Sequence, residues 1–300
     1  MRSVKKIAIL TGGGDCPGIN AVIRAVTKKA IIESDIEVIG FEDGYHGLVN
    51  NKYRKLTYDA VSGILTLGGT ILGTSKIANP FRYAIKNGKD VEFRDMSRNA
   101  IDNIKTLGVE CLVVIGGDGT LGIASSLFED GVPIVGIPKT IDNDIRETEI
   151  TFGFDTAVQI ATDGIDRIHT TAQSHHRIMV VEVMGHNAGW IALHSGTAGG
   201  GDIILIPEIP YDIAYVSEVV TQRNKKGKRF SIIVVAEGAK PKGGESVVKR
   251  IVKESLDPLR LGGIGFVLGE QIERLTGLET RTVVMGHLLR GGTPTAYDRV

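Results

Sequence analysis

The chain has 300 residues with 35 basic and 35 acidic side chains, a formal net charge of zero that argues against a general nucleic-acid binder. Hydrophobic residues at 42% and charged residues at 23% describe a globular chain whose length suits two domains or one large one. The 2 cysteines, Cys16 and Cys111, cannot build a disulfide scaffold and read as free thiols of a reducing compartment.

The opening MRSVKKIAILTGGGD has too short an apolar run for a signal peptide, and no stretch approaches the ~18 apolar residues of a membrane span. A soluble cytoplasmic protein is therefore expected, with no membrane or nucleic-acid partner. In chain order, short apolar runs recur at 6–10, 37–41, 111–115, 133–137, 178–183, 202–207, 231–236 and 282–286. They are rich in Ile and Val and do not alternate with polar residues, as strands buried on both faces of a parallel sheet should read. Amphipathic stretches at 19–33, 97–108, 121–130, 155–172 and 247–261 read as the intervening helices. The alternation predicts an α/β fold of two lobes, each a mainly parallel sheet flanked by helices. No linker divides the chain. The expected boundaries are 1–138 for one lobe and 139–250 for the other. A segment 251–300 is expected to cross back, its last strand and helices returning to the first lobe.

There are 39 glycines, well above the usual share of about 7%, and most follow strands, where open α/β sheets bind ligands. The loop Thr11-Gly12-Gly13-Gly14-Asp15-Cys16-Pro17-Gly18 exposes backbone N–H groups ahead of a helix, which suits a phosphate, although a tight turn would use the same glycines. It matches neither the P-loop nor the dinucleotide spacing. Gly116-Gly117-Asp118-Gly119-Thr120 adds a carboxylate placed to hold Mg²⁺ on phosphate oxygens and a hydroxyl at a helix start. The plainer alternative is a turn residue and an N-cap.

Pro138-Lys139-Thr140-Ile141-Asp142-Asn143-Asp144 packs together a cation, a hydroxyl and two acids. Phosphoryl transfer to an alcohol needs such a set, one carboxylate taking the proton while cations neutralise the moving charge. A solvated Asp/Asn turn would look alike. Further on, Arg177 precedes the run at 178–183, Met184-Gly185-His186 follows it, Glu237 ends the run at 231–236, and Arg281, His287 and Arg290 flank the last strand. The three arginines beside Glu237 and His287 suit a sugar phosphate, although any one arginine at a strand end is more often a surface ion pair. No His/Cys spacing suggests zinc, and there is no nucleophile elbow.

In order along almost the whole chain, LTGGGDCPGIN, GGDGT, PKTIDND, SHHRIMVVEVMG, AEGA, TRTVVMGHLLRGG and PTAYDR resemble the 6-phosphofructokinase family. GGDGT is shared with NAD and lipid kinases, but PKTIDND with the downstream MG and GH-x-x-RGG elements is specific. The resemblance implies a phosphofructokinase-like fold and a glycolytic transfer of the γ-phosphoryl of ATP to O1 of fructose 6-phosphate, with Mg²⁺. By position it implies Asp142 as the general base, with Thr140, Asp144 and Lys139 around it, and Asp118 as the metal ligand. It puts Gly14, Tyr45, Lys76, Phe81, Arg82, Gly117, Gly119 and Thr120 on the nucleotide side. Thr140, Asp142, Met184, Gly185, Glu237, His287 and Arg290 fall toward the sugar phosphate. Arg177 and Arg281 match residues that reach into a neighbouring subunit's site, which implies a homotetramer with shared active sites.

Several positions depart from the family pattern. Lys139 resembles the pyrophosphate-dependent branch, whereas Gly119 is the ATP-type residue, leaving room for an α-phosphate that an Asp would fill and repel. ATP is therefore favoured, with a pyrophosphate-dependent fructose 6-phosphate 1-phosphotransferase as the alternative. A non-catalytic regulatory subunit is disfavoured because Asp142 and Asp118 are both present. Lys76 stands where the family usually has Arg, and the match at Phe81 and Arg82 needs a one-residue gap. His186 replaces the usual Arg after Met-Gly, a loss that Lys139 is expected to offset. Family members continue for some tens of residues beyond PTAYDRV, so the sequence reads as truncated. Arg24, Lys28, Lys226, Lys228 and Asp202 match the family's effector site, but Tyr58 and His169 stand in place of two arginines, which leaves allostery open.

Overall fold

The computed structural model describes residues 4–87, 90–252 and 258–300. Its first half runs β1 (Lys6–Thr11), α1 (Ile19–Ser34), β2 (Glu37–Phe41), α2 (Tyr45–Asn50), β3 (Tyr53–Lys55), β4 (Tyr83–Asn87), β5 (Asp90–Arg94), α3 (Ser97–Thr106), β6 (Cys111–Gly116), α4 (Asp118–Glu129) and β7 (Ile134–Pro138). The second half runs α5 (Phe154–His175), β8 (Ile178–Val183), α6 (Trp190–Ala198), β9 (Ile203–Leu205), α7 (Ile213–Lys225), β10 (Ser231–Ala236), β11 (Val248–Ile251), β12 (Leu259–Leu261), α8 (Ile264–Thr276) and β13 (Thr280–Val284).

One sheet has the order β3-β2-β1-β6-β7 and the other β13-β8-β10-β9. All their pairings are parallel except β2 with β3. Successive side chains of a strand point to opposite faces, and the core follows that rule. Ile9 of β1 and Val113 and Ile115 of β6 join one apolar cluster, while Ala8, Leu10, Leu112 and Val114 join another. In the second sheet, Met179 and Val181 of β8 and Ile232 and Val234 of β10 join that same first cluster, and Val180, Ile233 and Val235 face a third. The shared cluster is therefore a middle layer between the sheets, filled by α1, α5 and α6. The outer layers are α2, α3 and α4 on one side and α7 and α8 on the other. Every central strand is covered on both faces, which explains the unbroken apolar runs.

Two expectations need correction. The stretch 247–261 is not a helix: β11 and β12 pair antiparallel, and residues 253–257 lie outside the described residues. The β-branched Val247, Val248, Ile251 and Val252 favour extended backbone, and Pro258 cannot sit inside a helix. The last strand does not return to the first lobe either, because β13 joins the second sheet beside β8. The segment after β13 does reach back: Arg290 Nη1 donates to Asp15 O at 3.1 Å, and the backbone carbonyl of Asp298 packs where a Cβ on Gly18 would meet it at 2.8 Å.

Candidate active site

β1, β6 and β7 are adjacent and parallel, so their carboxyl-end loops stack side by side. The Gly12 N–H donates to Ile115 O at 2.9 Å and the Lys139 N–H to Gly116 O at 2.9 Å. α1 and α4 leave the neighbouring strands β1 and β6 toward opposite faces of the sheet, the point at which open α/β sheets form their binding crevice. Both glycine loops close on the buried Thr120 side chain. A Cβ on Gly12 would lie 2.6 Å from its Cγ2, and one on Gly116 2.3 Å, so neither position accepts a side chain. α4 starts at Gly117 with no side-chain cap, leaving its first N–H groups and positive end toward the cavity that Gly117, Asp118, Gly119 and Thr120 line. From behind, the buried Tyr45 hydroxyl donates to Thr120 O at 2.8 Å. Tyr45 thus supports the first turn of α4, and burial pushes its phenol well above the ordinary range.

The cavity in front of these loops holds about 470 Å³ and is also lined by Gly14, Lys76, Lys139, Thr140, Asp142 and Asp144. The loop after β7 is pinned. Thr151 Oγ1 donates to Thr140 O at 2.7 Å, and the Thr151 N–H donates to Asn143 Oδ1 at 2.9 Å. Within it, Thr140 Oγ1 donates to Asp142 Oδ2 at 3.2 Å. Asp142 Oδ1 is buried with no hydrogen-bond partner among the described residues. Burial, then the charges of Asp142 and Asp118, raise the Asp144 carboxyl above its usual range.

Lys139 is 3% exposed, and its ammonium donates to Gly14 O, tying the third loop to the first. Burial is the main cause that lowers its pKa. Under the same loop, burial pushes the Cys16 thiol up to about 12, which makes it a packed and unreactive side chain.

A second cavity of about 870 Å³ opens at the carboxyl ends of β8, β10 and β13, lined by Met184, Glu237 and His287 among others. The Glu237 carboxyl, raised by burial, accepts the His186 N–H at 3.1 Å. Gly185, at φ +144°, shapes the turn: a Cβ there would sit 2.4 Å from Ala188 O. The two cavities share Lys76, Asp142, His186, Arg260 and Arg290, so Asp142 stands where they meet. Arg290 Nη1 donates to Asp15 O at 3.1 Å, while its Nε is buried without a partner among the described residues.

Other expected residues lie elsewhere. Arg177 pairs with Glu279 at 2.9 Å, and Arg281 pairs with the same carboxylate. Both sit at the amino ends of β8 and β13, whereas the second cavity is at the carboxyl ends. The length of β8 separates Arg177 from that cavity, roughly 20 Å, and Arg281 lies three strand positions, roughly 10 Å, from Val284 on its lining. Phe81 packs on the outer cluster of the first lobe, and the Arg82 guanidinium lies 4.0 Å over the Phe93 ring. Neither is among the residues that line the first cavity. Of the effector-site matches, Lys28 lies 3.7 Å over the Tyr58 ring and Asp202 pairs with Arg223. Sequence reasoning missed Arg260 because the stretch around it reads as a solvated amphipathic helix.

The phosphofructokinase family profile matches residues 6–300. ATP-dependent 6-phosphofructokinase 2 of Clostridium perfringens is 58% identical over 303 aligned positions, covering 100% of this chain and 82% of that protein. A pyrophosphate–fructose 6-phosphate 1-phosphotransferase of Streptomyces coelicolor is 52% identical, covering 98% of this chain and 83% of that one. Among solved structures, phosphofructokinase from Saccharomyces cerevisiae superposes with a TM-score of 0.80 at 34% identity. That match covers 98% of this chain and 40% of the longer yeast chain.

Proposed function

Because the chain belongs to the phosphofructokinase family, we propose that it transfers the γ-phosphoryl group of ATP to O1 of fructose 6-phosphate, giving fructose 1,6-bisphosphate and ADP. The observation that carries this reading is the buried, unpartnered Oδ1 of Asp142 at the junction of two cavities. A buried acceptor without a donor is costly unless a ligand supplies one, and a sugar hydroxyl does. Asp142 takes that hydroxyl's proton while Thr140 Oγ1 orients the carboxylate through Oδ2. O1 then attacks the γ-phosphorus, and the bond to the bridging oxygen of ADP breaks. The glycine loops and the start of α4 hold the donor phosphates, and Lys76, Lys139 and Arg290 offset their charge. Met184, Glu237, His287 and Arg290 hold the sugar phosphate.

The residues fit Mg²⁺. Asp118 and Asp144 line the donor cavity, and burial raises the Asp144 carboxyl, with the charges of Asp142 and Asp118 adding to it. No group of three metal-binding side chains forms a closed cage among the described residues, which suits a cation held by one or two carboxylates and substrate phosphates. Asp118 is its ligand in this reading. When bound, the cation neutralises charge on the phosphoryl oxygens.

Gly119 favours ATP, because the nucleotide's α-phosphate needs the space beside it. Lys139 and the 52% identical pyrophosphate-dependent relative support pyrophosphate as the second reading. Arg177 and Arg281, remote from their own chain's sugar cavity, serve a neighbouring copy's site in a homotetramer. A cytoplasmic location is part of the same reading; no helix among the described residues is long and apolar enough to cross a membrane. The test is one assay of the purified chain with fructose 6-phosphate and ATP, GTP or pyrophosphate. ATP should give the highest kcat/KM. Turnover with pyrophosphate alone overturns the donor assignment, and no product with any donor overturns the activity.

A further inference from the structure

Asp142 stands in a stretch, residues 139–153, that carries no helix or strand between β7 and α5. Segments of that kind are ordinarily the most mobile part of a domain, and Arg146, Glu147, Glu149 and Ile150 near its tip are exposed. A general base needs the reverse, a carboxylate held within about 0.5 Å of its productive place. The far end of the same stretch supplies the hold.

The returning chain lies alongside the outgoing one, with Lys139 and Phe152 in an isolated parallel bridge. That places the fully buried Thr151 beside the backbone it grips. Its hydroxyl donates to Thr140 O at 2.7 Å, and its N–H donates to Asn143 Oδ1 at 2.9 Å. Thr140 and Asn143 bracket Asp142. Asn143, at φ +52° in a left-handed conformation that asparagine tolerates, turns the chain between Asp142 and Asp144. Its Nδ2 donates to Glu149 O at 3.3 Å. The hold passes to the carboxylate through Thr140, whose Oγ1 accepts the Asp142 N–H at 3.1 Å and donates to Asp142 Oδ2 at 3.2 Å. Both flanks are fixed as well. Ile141 is buried in the middle layer, and the Gly153 N–H donates to the buried Asp298 carboxylate at 2.8 Å.

We infer that Thr151 is a positioning residue for the general base: by holding Thr140 and Asn143 it fixes the backbone on both sides of Asp142, so that the carboxylate meets the sugar hydroxyl without first ordering its loop. Thr151 is not among the residues lining either cavity, so it touches no substrate and exchanges no proton. Its effect on rate rests on the fructose 6-phosphate kinase reading; its effect on the loop rests on the hydrogen bonds alone.

The test compares Thr151→Val, which keeps the shape and removes the hydroxyl, with Thr151→Ser, which keeps the hydroxyl and loses the methyl. In Thr151→Val, kcat should fall about 10- to 10²-fold, the cost of a catalytic group displaced by up to about 1 Å. KM for ATP should stay constant, because the donor loops follow β1 and β6. Thr151→Ser should keep most of the kcat of the unaltered chain, whereas a merely structural role would rank the two variants by lost packing. Deuterium exchange in peptides across residues 139–146, measured without substrate, should quicken in Thr151→Val and not in Thr151→Ser. A normal kcat in folded Thr151→Val, equal losses in both variants, or a loss carried by KM for ATP overturns the inference. If Thr151→Val does not fold, Asn143→Gly decides: glycine takes the same φ without strain but gives the Thr151 N–H no acceptor, and an unchanged kcat overturns the inference. If the unaltered chain makes no product, the kinase reading fails by itself. Exchange then decides for Thr151, and unchanged exchange in Thr151→Val overturns its hold on the loop.

Discussion

Asp142→Asn separates the chemistry of the base from its packing. The substitution keeps the side chain's size, and the amide oxygen can still accept the hydrogen bond that Thr140 Oγ1 gives Oδ2 at 3.2 Å. The amide NH₂ then takes the place of Oδ1, exchanging one unpartnered buried group for another. Folding should therefore change little, and the melting temperature should hold. Asp144 should respond too: the Asp142 charge helps to raise its carboxyl, so in the variant it should titrate lower. Chemistry responds strongly. An amide cannot take the sugar's proton, and loss of a general base typically costs ~10²–10⁴ in rate. At 1.36 kcal/mol per decade that is about 2.7–5.4 kcal/mol of barrier. The amide still offers the hydroxyl a hydrogen bond, so KM for fructose 6-phosphate should change little. The assay is formation of fructose 1,6-bisphosphate, coupled through aldolase, at saturating ATP, with calorimetry on the same sample. A near-normal kcat refutes the role of Asp142 as base. So does a raised KM with kcat intact, which is the signature of lost uniform binding.

Three further outcomes are expected. Gly119→Asp should cut kcat/KM for ATP severely while leaving pyrophosphate turnover unaffected or newly detectable; unchanged ATP kinetics would falsify the account of donor choice. Asp142→Asn and Arg281→Ser chains, each inactive alone, should regain activity when dissociated and reassembled together, because some sites then hold both intact residues; hybrids proven by mass spectrometry but inactive would mean that Arg281 serves its own chain. Asp298→Ala should destabilise the fold by about 3 kcal/mol in urea unfolding, because the 4%-exposed carboxylate accepts the Gly153 and Thr156 N–H groups at 2.8 Å and caps α5; a loss under about 1 kcal/mol contradicts that capping role.

The sequence by itself determined the strand–helix alternation and the glycine loops at strand ends. These are local properties: burial on both faces writes an unbroken apolar run, and a loop that must admit a phosphate writes its glycines within a few residues. Periodicity failed at 247–261, where apolar residues at helical spacing also satisfy a hairpin and β-branching with Pro258 decides between them. Tertiary structure alone decided what joins distant segments. Three parallel neighbours bring Gly14, Thr120 and Lys139 together, and the register of β13 on β8 sends Arg281 to the end of the sheet opposite His287. α5 and α8 begin at glycines without caps of their own, and their first N–H groups are met by Asp298 and Glu182, more than 80 residues away in sequence. A hydrogen bond or a charge acts on what is near in space, and which distant residues become near is set by strand order, which no short window of sequence contains.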